Sequence, residues 1–332
     1  MVPKETENGR RHEQENAMTL PGYLVVGGAG FVGSHLVSRL VERAEVTVVD
    51  DLSSGHREFL APAIATGRCE LREGSVFDAE LLLGAMRGKI AVFHLSANPD
   101  PRRGLEQPML DLEQGTLATH AVLDAMRRAG VKGLVLASSA AVYGLARSAC
   151  READLGALPI SLHGASKLAS EALVSAYVEC FGVSAWIFRL GNVIGSHATH
   201  GAAFDFLSRL KQTPEQLTVL GDGKQSKPYV HVADAVDAML FGFEHAADPL
   251  NVFNVAPSDA TTVSRLAELC VAHSPNPGAS IAYGGDQRGW RGDVPHTRLD
   301  AAALTALGFA LSRGSDDAVA LGVSELGREI FG

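Results

Sequence analysis

The run Tyr23-Leu-Val-Val-Gly-Gly-Ala-Gly-Phe-Val-Gly33 decides the fold. Tyr23 to Val26 predicts a buried strand, the glycines a tight turn, and the chain resumes as a helix from about Phe31. Gly27 permits a turn that a side chain would forbid, Gly30 lets backbone approach a pyrophosphate, and Gly33 lets the helix pack closely on the strand. The helix N-terminus then offers free N–H groups and a positive dipole end to phosphates. In a chain with 35 glycines such a loop also arises as an ordinary βα turn. Its weight comes from Glu45-Val-Thr-Val-Val-Asp50, a second predicted strand that ends in an acid 17 residues after Gly33. A carboxylate there holds both hydroxyls of an adenosine ribose and repels a 2′-phosphate, so NAD is expected rather than NADP.

Short apolar runs continue to alternate with amphipathic stretches, the pattern of βαβ units and a parallel sheet. Cys69–Val76 predicts a third strand, 78–86 a helix and Ala91–Ala97 a fourth strand. A helix is expected over 112–129 with Leu117, Ala121, Val122 and Ala125 on one face, stopped by Gly130. Gly133 to Gly144 predicts a buried strand whose carboxyl end carries Ser138 and Ser139, where ligands of open parallel sheets lie. A helix over 164–181 and a sixth strand, Val183–Leu190, follow. Beyond Asn192 the alternation loosens, with helices expected near 203–211, 233–244 and 263–272 and a short strand and turn over 217–223. The fold class is therefore α/β, a Rossmann-type doubly wound parallel sheet over 21–190, with a smaller substrate lobe interleaved from 191–332.

The 332 residues are 46% hydrophobic and 20% charged, enough to bury a large core. A net charge of -9 and the lack of a basic patch argue against nucleic acid and anionic membrane surfaces and favour a small-molecule partner. Cys69, Cys150, Cys180 and Cys270 show neither disulfide nor metal spacing, so no metal is expected and a reducing cytoplasm fits. Residues 1–20 are charged, lack a signal-peptide core and read as a disordered tail. No segment approaches the roughly 20 apolar residues that span a bilayer.

Gly-Gly-Ala-Gly-Phe-Val-Gly (27–33), Asp-Asp-Leu-Ser-Ser-Gly (50–55), Val-Phe-His-Leu-Ser-Ala (92–97), Ser-Ser-Ala-Ala-Val-Tyr-Gly (138–144), Gly-Ala-Ser-Lys (164–167), Arg-Leu-Gly-Asn-Val-Ile-Gly (189–195) and Gly-Asp-Gly-Lys-Gln (221–225) stand in this order. Together they resemble the extended short-chain dehydrogenase/reductase family, and within it the NDP-sugar 4-epimerases, from Tyr23 to about Phe309. The resemblance implies transient oxidation of a nucleotide sugar by NAD, a keto intermediate and re-reduction on the other face. It implies cofactor contacts along Gly27, Gly30, Phe31, Val32, Gly33, Asp50, Asp51, Ser53, Ser54, Gly55, Ser75, Val76, Leu95, Ser96, Ala97, Ser138 and Lys167. It implies substrate contacts at Ser139, Asn192, Lys227, Tyr229 and one of Arg288 and Arg291, which flank the position from which relatives reach the diphosphate; His200 lies in a loop expected to face substrate and otherwise reads, like His197, as polar loop. The helices over 112–129 and 164–181 imply a homodimer.

The family pattern Tyr-x-x-x-Lys is broken. This chain has His163-Gly-Ala-Ser-Lys167. Ser139, His163 and Lys167 thus form the expected catalytic set, with an imidazole, whose ordinary pKa is near 6.5, in place of a phenol near 10. Imidazole is shorter, and His163 reads either as the base or as a residue filling the tyrosine's space. Gly115 stands where relatives carry an asparagine, Ser75 where they often carry an aspartate, and Lys227 where many have arginine, supplying charge without a bidentate fork. Ser138-Ser139-Ala140 lacks the acid and base of 4,6-dehydratases. His94 reads as core, His197 as polar loop, and Tyr143 as packing unless its hydroxyl faces the cleft. Besides epimerisation, another chemistry begun by the same oxidation, or an NAD-binding scaffold without turnover, would use the same framework.

Overall fold

The computed structural model describes residues 20–146, 148–154 and 158–332; the expected N-terminal tail lies outside them up to residue 19. Strands β1 (Gly22–Val26), β2 (Glu45–Asp50), β3 (Cys69–Glu73), β4 (Ala91–His94), β5 (Gly133–Ser139), β6 (Ser184–Leu190) and β7 (Leu250–Val255) form one parallel sheet in the order β7-β6-β5-β4-β1-β2-β3. This is a doubly wound Rossmann sheet. The strand order reverses between β1 and β4, which opens a crevice at their carboxyl ends. Both faces are covered, so the strands read as nearly continuous apolar runs: Leu24, Val25 and Val26, then Val46, Val48 and Val49, are buried. Burying each such side chain contributes about 1.5–3 kcal/mol.

Gly27 and Gly33 show the crowding expected of them, and Gly30 does not. Gly27 has φ +81°, and a Cβ on it would lie 2.5 Å from the Ser96 nitrogen. A Cβ on Gly33 would lie 2.1 Å from the Gly27 carbonyl oxygen, so helix Phe31–Leu40 sits against the turn only because that side chain is missing. Gly30 is different: a Cβ there meets nothing closer than 3.4 Å. The space beside it belongs to the crevice.

Three strands end earlier than their apolar runs. After Glu73 the Gly74 N–H donates to the Asp50 carbonyl at 3.0 Å, which turns Ser75 and Val76 across the end of β2. Leu95 and Ser96 both donate to the Val26 carbonyl, leaving the sheet at its switch point. Past Ser139 the chain tightens into a 3₁₀ turn, Ala140–Tyr143, capped by the Ser139 hydroxyl. These departures bring polar loop groups to one edge.

The helix expected over 112–129 begins as a π-helical turn, Leu112–Leu117, and becomes α only at Ala118–Ala129. The extra residue per turn shifts the register, so Leu117 is exposed while Val122 and Ala125 stay buried. Gly115 sits in that turn, and a Cβ on it would fall 2.0 Å from Ser166 Oγ. The room of the expected side chain is thus filled by a serine of the helix Leu162–Phe181.

From Asn192 on, helices Ala202–Gln212, Val263–Ala272 and Ser315–Phe331 bury a separate cluster around Leu207, Leu210, Leu266 and Val323. β7 and helix Val232–His245 return to the large sheet, with Phe253 packed on Phe188. Among the described residues no helix is long and apolar enough to cross a membrane.

Candidate active site

Two cavities meet beneath the carboxyl ends of the strands. The larger, about 460 Å³, runs along the ends of β1, β2, β4 and β5. The smaller, about 300 Å³, lies between the sheet and the C-terminal lobe. Ser139, His163, Asn192, His200 and Tyr229 border both. Lys167 and Ser138 border the larger, and Lys227 the smaller. Every residue expected along the cofactor lines the larger cavity except Gly55, which lets its loop press on the glycine turn: a Cβ would sit 2.9 Å from Ala29 backbone atoms.

Asp50 is prepared for its position by backbone donors. The Ala29 N–H donates to Oδ2 and the Leu52 N–H to Oδ1, both at 2.9 Å. Burial raises its pKa while these donors oppose that shift. Each oxygen keeps a further lone pair for a hydroxyl. Across the cavity, Ser96 Oγ is buried without a partner, an orphan polar group that a ligand would satisfy.

Lys167 is buried, and its Nζ donates to the Ala137 carbonyl at 2.7 Å. An ammonium has three donors, so two remain for the cavity. Burial pulls its pKa down to about 8, while Glu171 and Asp111 oppose the fall. Ser138 donates to Glu171, which also holds Arg189, and therefore serves the framework as well as the wall. Ser139 Oγ accepts from the Ala141 N–H at 3.1 Å, which leaves its own proton to give.

His163 stands one helical turn before Lys167, near the start of helix Leu162–Phe181, capped by Ser161. Burial lowers its pKa, Asp111 opposes this and the Lys167 charge adds to the fall, so the ring is neutral at pH 7. Its Nδ1 lies 3.7 Å from Asp111 Oδ1. His200 faces the same space, its pKa also lowered by burial.

Tyr143 does not replace the missing phenol. Its hydroxyl donates to Asn254 Oδ1 at 2.8 Å and accepts from Arg189 at 2.7 Å inside a buried network, and it borders neither cavity. His94 is core, bonded to Thr119. His197 stacks on Phe59 with ring centroids 4.1 Å apart and takes φ +65°, a packing role.

The C-terminal contributions differ most from expectation. Arg288 and Arg291 are exposed and border neither cavity; between them Trp290 lines the smaller one. Lys227 reaches the recess already paired, donating to Asp293 Oδ1 at 2.7 Å and to the Val294 carbonyl. Asp100 and Asp205, bridged by Arg102, line the recess and lay outside the sequence expectations, and Gln225, whose buried amide has no partner, stood in the 221–225 run without an assigned role. No motif marks Asp100, Arg102 or Asp205.

Residues 23–256 match the model of the NAD dependent epimerase/dehydratase family. A UDP-glucose 4-epimerase of Azospirillum brasilense is 32% identical over 245 residues, 68% of this chain and 69% of its own length. The crystal structure of a UDP-galactose 4-epimerase aligns with a TM-score of 0.82 at 35% identity, over 93% of this chain and 99% of that one. The UDP-glucose 4-epimerase of Thermotoga maritima, solved with UDP-glucose, aligns with a TM-score of 0.83 at 27% identity, over 94% and 100%.

Proposed function

This chain belongs to the NAD dependent epimerase/dehydratase family, and from that premise we propose that it is an NAD-dependent NDP-sugar 4-epimerase whose proton-transfer base is His163. The observation that carries the reading is the convergence of Ser139, His163 and Lys167 where a cofactor-sized cavity opens into a second recess. The larger cavity fits NAD: Gly27 and Gly33 allow backbone approach, Asp50 offers two lone pairs to the adenosine ribose, and Lys167 offers two donors to the nicotinamide ribose. Bound there, NAD supplies a hydride acceptor and later the donor.

The chain's own residues do the rest. Ser139 donates to the reacting oxygen, and His163 takes the hydroxyl proton and returns it to the opposite epimer. Burial, with a smaller contribution from the Lys167 charge, favours the neutral imidazole in the resting site. Asn192, His200, Lys227 and Tyr229 border the recess for the sugar nucleotide, with Trp290 on its wall. A diphosphate in the recess would take Lys227 in competition with Asp293, and Arg209, which lines the same recess and is held by the Thr218 carbonyl, supplies a further cation.

A homodimer is part of the proposal. Helices Ala118–Ala129 and Leu162–Phe181 and the turn before them expose Leu112, Leu117, Leu162 and Phe181, apolar surface that a second copy would cover. The compartment proposed is the cytoplasm. The lobe from residue 191 on is proposed to hold the sugar nucleotide.

The purified protein with NAD and, in turn, UDP-glucose, UDP-N-acetylglucosamine, UDP-glucuronate and GDP- or TDP-hexoses should convert at least one to its 4-epimer, read by proton NMR. A product changed at another carbon would favour the second reading, which the shorter imidazole supports. Tight NAD binding with no new sugar from any of them would leave a scaffold without turnover.

A further inference from the structure

We infer that Asp111 is the positioning residue for His163: its buried carboxylate fixes the ring with the proton on Nδ1 and stabilises the imidazolium that forms when Nε2 takes a proton. This rests on the proposed role of His163 as base. A phenol has a single acidic site and needs no such partner. An imidazole has two nitrogens, and it is a base toward the cleft only in one tautomer, set by what the other nitrogen meets.

Five observations place Asp111 in that position. It is 2% exposed, and Nδ1 of His163 lies 3.7 Å from its Oδ1. Its Oδ1 accepts from Asn98 Nδ2 at 3.0 Å, and Asn98 is itself held by the backbone of Asp100. Its Oδ2 is buried and accepts no hydrogen bond, a costly state for a carboxylate that lacks a cationic partner. Gly104 leaves room for that oxygen, since a Cβ there would lie 2.2 Å from Oδ2. The backbone of Asp111 is also tied to the helix that carries His163, because Ser166 Oγ donates to its carbonyl at 2.6 Å.

At 3.7 Å the pair is at ion-pair distance and longer than a hydrogen bond, as expected of ligand-free sites that tighten with substrate. In the step proposed, the sugar hydroxyl proton passes to Nε2 and the O–H electron pair stays on oxygen. The resulting imidazolium then faces the Asp111 carboxylate, and the proton returns along the same path. Lys167 and His200 also face this ring, and Asp100, Arg102 and Asp205 lie behind His200. Lys167 disfavours the imidazolium; Asp111 is the acid next to it.

The test uses the NAD-loaded full chain and the sugar nucleotide that it turns over. Asp111→Asn should lower kcat by roughly 100-fold or more, leave NAD affinity and thermal unfolding near wild type, and move the acid limb of the kcat profile to lower pH. In the wild-type protein with ¹⁵N-labelled histidine, NMR should show neutral His163 protonated on Nδ1. An Nε2–H tautomer, or Asp111→Asn with wild-type kcat and acid limb while His163→Ala is inactive, would overturn the assignment of Asp111 and leave the base standing. Full activity in His163→Ala would overturn both.

Discussion

His163→Ala should lower kcat for the proposed epimerisation on the order of 10²–10⁴-fold, with NAD affinity unchanged. The magnitude is what a positioned proton acceptor contributes; of the other groups bordering the shared opening, Tyr229 is a phenol whose pKa burial raises further, and His200 offers a second imidazole. Tyr143 is committed to Asn254 and Arg189, Ser139 lacks a base of its own, and Lys167 is protonated below pH about 8. His200 is the nearest other imidazole, so residual activity that disappears in His163→Ala/His200→Ala would show it as a weak substitute. His163→Tyr is the complementary variant. The phenol would stand beside Ser139 and Lys167, as in the family pattern, and should keep or raise 4-epimerisation, whereas a base located elsewhere predicts that it does neither. NAD titration and thermal unfolding of each variant separate loss of chemistry from loss of fold.

Lys167→Met should cost on the order of 10²–10³-fold in kcat and weaken NAD binding, because a buried, oriented donor and its charge are removed at almost constant volume. The pH profile carries a sharper signature. Lys167 loses its proton above pH about 8, since burial destabilises the ammonium more than Glu171 and Asp111 support it. His163 is the base only when neutral, and burial lowers its pKa from 6.5. The wild-type kcat/KM profile should therefore fall on the acid side below the ordinary imidazole range and on the alkaline side near pH 8. In Lys167→Met the alkaline limb should vanish. Its persistence there would assign that limb to another group and remove Lys167 from the account.

Much of the scaffold is legible because its signals are local. Gly27, Gly33 and Asp50 are required by backbone approach and by a strand end, both fixed within one βαβ unit. The larger cavity follows from them. β7 was not legible, because Asn251 and Asn254 interrupt its apolar pattern, and only the fold shows that both side chains are satisfied, by Ala185 and Asp248 carbonyls and by Tyr143, Cys150 and Asp300. The π turn at Leu112–Leu117 was hidden for a related reason: it is stabilised by Ser166, some 50 residues away, so the local pattern reads as α. Asp111 carries no motif and gains meaning only from the helix packed across it. The arginines flanking Trp290 show the limit of spacing arguments in a loop, where a shift of one residue exchanges which side chain lines the recess.

The most direct measurement follows a deuterium placed on the reacting carbon. With UDP-glucose deuterated at sugar C4, or the corresponding label on whichever sugar nucleotide is turned over, the account predicts a 4-epimer that retains the deuterium in ordinary water, since the hydrogen leaves and returns without exchange while His163 moves only the hydroxyl proton. An epimer in which the label has washed out to solvent would contradict transient oxidation, and His163 would then have to be acting on carbon.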